Sequence, residues 1–198
     1  LSQYESMRDF ERTPEPSGGA RRSGDGRDEG DPHAPLTFVI QKHRATRLHY
    51  DLRLEVDGVM PSWPVPKGPA AINGERRLAV MTEPHPMDYA VFEGLIPKGE
   101  YGAGEVIVWD RGTYSPDEDG PLVFEDRAEA NRRMREAMAN GKVSVTMRGH
   151  RMKGSWALVK THQSENSWLL IKHKDDATTG LDLAEEFDDS VLTGLTIA

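Results

Sequence analysis

From Leu48 to Val56 the chain alternates apolar and polar residues without a break: Leu48-His49-Tyr50-Asp51-Leu52-Arg53-Leu54-Glu55-Val56. That period belongs to a β-strand buried on one face, because successive side chains leave a strand on opposite sides. Leu48, Tyr50, Leu52, Leu54 and Val56 form the core face, and His49, Asp51, Arg53 and Glu55 form the other. Similar patterns predict strands at Leu36–Lys42, Val59–Val65, Arg77–Met81, Val106–Trp109, Gly112–Ser115, Lys142–Met147, Gly154–Lys160 and Trp168–His173. Asp57-Gly58, between Val56 and Val59, is the dipeptide of a tight hairpin turn. One helical stretch runs from Phe124 to Asn140 and stops at Gly141. Many short strands with one helix predict a mostly β domain, an antiparallel barrel or sandwich.

Composition adds the ends. The hydrophobic fraction is 36% and the mean hydropathy −0.65, both low for a packed globule, and the deficit lies outside the patterned region. The expected organisation is a flexible N-terminal arm and linker over residues 1–35, the β domain over 36–175 and an acidic tail over 176–198. The linker signal is Ser17-Gly18-Gly19-Ala20-Arg21-Arg22-Ser23-Gly24-Asp25-Gly26. Residues 175–198 carry seven acids and no Lys or Arg, so they are expected to be mobile and to contribute neither fold nor chemistry. Setting those seven charges aside turns the net −8 into −1 for the other 174 residues, which leaves room for a local basic groove that meets phosphate. The absence of cysteine excludes disulfides, zinc–thiolate sites and cysteine nucleophiles. No apolar run approaches a membrane span and no signal-peptide pattern opens the chain, so the expected setting is cytoplasmic.

The polar face of the 48–56 strand is an unusual set for mere solvation. His43 lies upstream in the pattern His-x5-His-x-Asp, so His43, His49 and Asp51 can converge on one divalent cation. Imidazole and carboxylate without thiolate suit Mn²⁺, Fe²⁺ or Zn²⁺. Arg53, two residues on, offers a planar fork for phosphate or carboxylate, or else a cross-strand ion pair. Lys67 sits in the proline-stiffened Pro64-Val65-Pro66-Lys67-Gly68-Pro69, and Arg77 opens a strand. His85, between Pro84 and Pro86, is excluded from a helix interior or a central strand and is read as part of a rigid loop at a strand end. Two other readings fit these residues. His49-x-Asp51 with a distant histidine is also the facial triad of a non-haem iron oxygenase, with His43 surplus; the other is a non-catalytic binding module.

The motifs Phe38-Val39-Ile40-Gln41-Lys42-His43-x5-His49-Tyr50-Asp51-Leu52-Arg53-Leu54-Glu55, Ser62-Trp63-Pro64-Val65-Pro66-Lys67-Gly68-Pro69 and His85-Pro86-Met87-Asp88-Tyr89 resemble the 3′-phosphoesterase domain of bacterial DNA ligase D and its free-standing archaeal relatives. So do Gly99-Glu100-Tyr101-Gly102-Ala103-Gly104, Val106-Ile107-Val108-Trp109-Asp110 and the leading Arg8-Asp9-Phe10-x2-Thr13-x-Glu15-Pro16. The resemblance covers about residues 4–175 and implies a β-barrel. It implies a Mn²⁺-dependent hydrolase, with Zn²⁺ or Co²⁺ as other candidate cations, that removes a 3′-terminal ribonucleoside and then the 3′-phosphate from a primer-template in DNA break repair. The partners it implies are DNA 3′ ends and the ligase, polymerase and Ku components of end joining, and with those partners the non-catalytic alternative is a DNA-end-binding module. It places manganese ligands on His43, His49 and Asp51 and phosphate contacts on Arg53, Lys67, Arg77 and His85. Tyr89 and Glu83 lie in the same motif, and Arg8, Asp9 and Glu15 match N-terminal residues the family needs for activity.

Overall fold

A computed structural model describes residues 1–18 and 30–197. The linker expected from Ser17 to Gly26 falls, from Gly19 onward, outside the described residues. In chain order the strands are β1 (Leu36–Arg44), β2 (Leu48–Leu54), β3 (Val59–Val65), β4 (Arg76–Val80), β5 (Thr82–Pro86), β6 (Gly94–Ile96), β7 (Gly104–Pro116), β8 (Lys142–Gly149), β9 (Lys153–Lys160) and β10 (Ser167–Lys172). They form one antiparallel sheet in the order β4-β10-β9-β8-β7-β1-β2-β3-β5, with β6 added to β7. The hydrogen-bond path does not close, so the expected barrel is replaced by an open ten-stranded sheet. Its two edge strands, β4 and β5, are separated in the chain only by Met81.

The β2–β3 hairpin forms where the pattern requires it. Asp57 and Gly58 both take positive φ (51° and 78°), the left-handed pair that matches the twist of a two-residue hairpin, and Val56 bridges Val59 across it. β7 joins the two strands expected at Val106–Trp109 and Gly112–Ser115. A bulge opposite Ile40/Gln41 shifts its register: Gln41 pairs with Val108 and Ile40 with Asp110, so Trp109 is the extra residue, and Val108 and Trp109 enter different apolar clusters. That shift breaks the period-2 signal in the sequence.

One face of the sheet carries the main core, including Phe38, Ile40, Leu52, Leu54, Trp63, Trp109, Trp156 and Leu170. Helix α2 (Arg127–Ala139) closes over it through Ala130 and Met134. Asp126 caps its first turn by accepting from the Glu129 amide, so the helix begins three residues after Phe124. The single helix expected from the sequence is joined by α1 (Ser2–Ser6), α3 (Leu183–Glu186) and a 3₁₀ turn at Met87–Val91. None of the helices among the described residues is long and apolar enough to cross a membrane.

Both ends of the chain dock, which corrects the flexible arm for residues 1–18 and the detached tail. Tyr4 is fully buried in a second apolar cluster with Val39, Met60, Tyr89, Ile96 and Val108. In the acidic segment Leu183 enters the main core, Asp182 pairs with Arg77 at 2.7 Å and Asp189 with Arg151 at 2.6 Å. The Trp109 indole N–H also donates to the Phe187 carbonyl. Apolar residues interleaved with the acids supply the burial that net charge alone conceals.

Candidate active site

Cross-strand register builds the site on the face of the sheet opposite the main core. His43 stands directly across from His49, Gln41 from Asp51, Arg53 from Ser62, and Met60 from His85. Residues paired directly across antiparallel strands share a face, so β1, β2, β3 and β5 each present one part of a single constellation. The resulting cleft of about 250 Å³ is lined by His43, His49, Asp51, Arg53 and His85 together with Arg8 and Glu15 of the N-terminal arm.

His43, His49 and Asp51 form a cluster whose ligating atoms all lie within 4.8 Å of one another. His43 Nδ1 and His49 Nε2 lie 3.5 and 3.3 Å from Asp51 Oδ2. Those separations exceed a well-formed N–H···O bond, and ligand atoms sharing one cation stand about 3.0–3.5 Å apart. The outward nitrogens are tied to backbone: His43 Nε2 donates to the Gly102 carbonyl at 2.7 Å, and His49 Nδ1 to the Arg47 carbonyl at 3.0 Å. A neutral ring held in this way turns its unprotonated nitrogen toward Asp51, the tautomer that a metal-bound imidazole requires. The donor set fits a divalent cation.

Arg53 is held on three sides. Its Nε donates to Gln41 Oε1 at 2.7 Å, its Nη1 to Ser62 Oγ at 2.9 Å, and its Nη2 lies 3.4 Å from Asp51 Oδ2. Burial disfavours the charge on Asp51, but Arg53 and the two imidazoles outweigh it and hold the carboxyl well below its usual range. Burial lowers the His49 pKa, but its contacts with Asp51 prevail and raise it overall.

The arm supplies a second guanidinium. Arg8 Nε pairs with Glu15 at 2.9 Å, and Nη1 with Glu83 at 3.3 Å, while its plane covers the Tyr4 ring at 3.9 Å. Tyr89 donates to Glu15 Oε2 at 2.7 Å, and burial keeps its hydroxyl protonated by raising its pKa well above normal. His85 is buried on the edge strand β5, where the two prolines cost no central ladder bond; the expected loop is corrected to a strand. Its Nδ1 donates to the Glu83 carbonyl at 3.0 Å, and its Nε2 accepts from Arg8 at 3.3 Å. Burial first, then Arg53 and Arg8, push its pKa well below the usual value, so the ring is neutral. His85 is not part of the three-ligand cluster, which is completed by His43 instead. The oxygenase triad, with His43 surplus, is not what the sheet assembles.

Three expected site residues stand elsewhere. Arg77 lies across from Leu170, on the main-core face. Its guanidinium is occupied by Glu75, Asp182 and the Lys67 carbonyl. Lys67 is exposed and Asp9 is exposed, and neither lines the cleft. Asp9 instead organises the arm's turn, accepting from the Glu11 amide through Oδ1 and from the Arg12 and Thr13 amides through its carbonyl. In the other direction, sequence reasoning passed over Gln41, Ser62 and Tyr4. Gln41 orients Arg53 while its own Nε2 donates to the Tyr89 and Phe92 carbonyls. The only available signal was the position of Gln41 two residues before His43 on the polar face of its strand.

Residues 41–160 match the family model described as the DNA Ligase D 3'-phosphoesterase domain. The chain belongs to that family. A multifunctional non-homologous end joining protein LigD of Pseudomonas aeruginosa is 43% identical over 202 residues, covering 100% of this chain and 22% of the relative. The multifunctional non-homologous end joining DNA repair protein LigD of Mycobacterium tuberculosis is 44% identical over 163 residues, covering 82% of the chain and 18% of the relative. A LigD of Mycolicibacterium smegmatis is 42% identical over 161 residues, covering 81% and 19%. The chain thus spans about a fifth of the length of these curated relatives. The family match contains His43, His49, Asp51, Arg53 and His85, whereas Arg8 and Glu15 precede it.

Proposed function

We propose that the chain is a Mn²⁺-dependent phosphoesterase that processes DNA 3′ ends for non-homologous end joining. It removes a 3′-terminal ribonucleoside and then the 3′-phosphate, leaving a 3′-hydroxyl. The observation that carries this reading is the pair of imidazoles locked by backbone carbonyls with their other ring nitrogens facing Asp51, beside a guanidinium fixed by Gln41 and Ser62. His43, His49 and Asp51 are the residues that would hold the cation. The chemistry supplied by a cation so held is polarisation of a phosphoryl oxygen and a lowered pKa for a bound water.

The chain's own groups do the rest. Arg53 and Arg8 place two fixed cations in the cleft for the charge that develops on the phosphoryl oxygens. Glu15 and Tyr89 keep Arg8 in place: the first through a direct ion pair, the second by hydrogen-bonding that carboxylate. His85 is neutral in the free protein because burial disfavours its charge and the Arg53 and Arg8 guanidiniums face it. A phosphate dianion offsets those cations, so substrate binding favours protonation of His85 and prepares it to donate to the departing oxygen. Lys67, Arg77 and Asp9 take supporting positions outside this contact set. The partners in this reading are primer-template 3′ ends in the non-homologous end joining that the relatives' names state, with the ligase, polymerase and Ku components added by the family resemblance alone.

The test is incubation of primer-templates ending in a ribonucleoside or a 3′-phosphate with Mn²⁺ or with EDTA. Release of nucleoside and phosphate only with the metal is expected. Equal turnover in EDTA would remove the metal-dependent mechanism, and no turnover on any 3′ end would leave an end-binding module.

A further inference from the structure

We propose that Tyr101 is the platform on which the nucleobase next to the reacting phosphate stacks; this rests on the phosphoesterase reading above. The cleft floor is built for an anion, with imidazoles, carboxylates and guanidiniums packed together and mostly buried. Tyr101 differs from every other lining residue because it alone is exposed, with 44% of its surface open at the rim. The other lining tyrosine, Tyr89, is buried and committed to Glu15. A large aromatic side chain left open beside a phosphate site offers an apolar face to whatever is joined to that phosphate, and every nucleobase has a matching π-face.

The ring is also held in place. Arg8 approaches it at 5.2 Å from the ring centroid, on the side of the arm. The preceding residue, Glu100, is tied to Arg12 at 3.1 Å. The following residue, Gly102, takes φ of 73° and accepts from the metal-ligand candidate His43. Tyr101 is thus fixed between the arm and the ligand cluster, so a stacked base loses little to ordering of the loop. No hydrogen bond engages the Tyr101 hydroxyl among the described residues, and the inferred role therefore belongs to the ring.

The experiment compares the full chain with Tyr101→Ala and Tyr101→Phe on Mn²⁺-supplemented primer-templates. These end in a 3′-ribonucleoside or a 3′-phosphate, each also made abasic at the positions flanking the reacting phosphate. On base-bearing ends Tyr101→Ala is expected to raise KM about 10-fold or more with kcat nearly unchanged, the range that base–aromatic stacking supports. Tyr101→Phe is expected to match the parent. On the fully abasic ends the parent itself carries the higher KM and Tyr101→Ala adds nothing. Loss on the ribonucleoside end alone assigns the stacked base to the departing nucleoside; loss on both ends assigns it to the retained strand. Three results overturn the inference: an unchanged KM for Tyr101→Ala, a loss that persists on abasic ends, or a loss that Phe does not rescue. A fall in Mn²⁺ affinity that accounts for the whole effect also overturns it. If the parent releases nothing from any end, the phosphoesterase reading itself fails.

Discussion

Replacing Arg53 with Lys retains a cation but removes the fork, so it tests whether orientation or charge matters at this position. Arg53 is 3% exposed and spreads its donors over Gln41, Ser62 and Asp51. An ammonium is a single point with three donors, and it cannot span those partners. At least one buried acceptor loses its bond, and a buried unsatisfied group costs about 1–3 kcal/mol. For a chain of this size that corresponds to a fall of about 2–12 °C in Tm. Activity should fall further, by about 10²–10³-fold in kcat/KM, because the lost donor is one aimed at charge that develops in the transition state. The Mn²⁺ affinity should change little, since a positive charge still faces Asp51. The assay is phosphate release from a 3′-phosphate primer-template, run beside a Mn²⁺ titration and a thermal melt. A folded Arg53→Lys protein with near-parental turnover would refute the argument that the Gln41–Ser62 clamp exists to orient a fork. Loss of Mn²⁺ binding in step with activity would place the effect in the metal site instead.

Other outcomes follow from the same geometry. His43→Ala should lose Mn²⁺ affinity, whereas His85→Ala should keep it and lose about 10²-fold or more in turnover; the titrations are run side by side, and reversal of that order would exchange the two roles. Because the folded-state pKa of His85 is depressed, the unfolded chain takes up a proton that the folded chain refuses. Its contribution to stability is thus intact above about pH 6.5 and is lost as pH falls from there toward the folded pKa. In the metal-free protein His85→Gln should flatten the Tm profile over that acidic range, and an unchanged slope would count against a neutral buried ring. Truncation of residues 181–198 removes the buried Leu183 and the Asp182 partner of Arg77, and should destabilise the fold by about 2–5 kcal/mol in a denaturant titration; an unchanged midpoint would restore the detached tail.

Local pattern alone determined much of this protein. Unbroken alternation located β2, the Asp57-Gly58 turn located its hairpin with β3, and the spacing of His43, His49 and Asp51 located a cluster that could hold a metal ion, because side-chain period and strand rise are properties of neighbouring residues. The tertiary structure decided what depends on register and sidedness. The bulge in β7 has no period-2 signature, and β5 reads as a loop because its prolines look like breakers until an edge position excuses them. Gln41 and Ser62 become site residues only because cross-strand pairing sets them beside Asp51 and Arg53. Arg77 was read as a phosphate contact, but the sheet puts it on the core face, where Asp182 meets it. Seven acids in a row of residues suggested a free tail, yet Leu183 and Phe187 between them face the core, and burial there outweighs the repulsion that composition implied. Charge and residue type are written locally; the partner that meets each charge is chosen by strands brought together from distant parts of the chain.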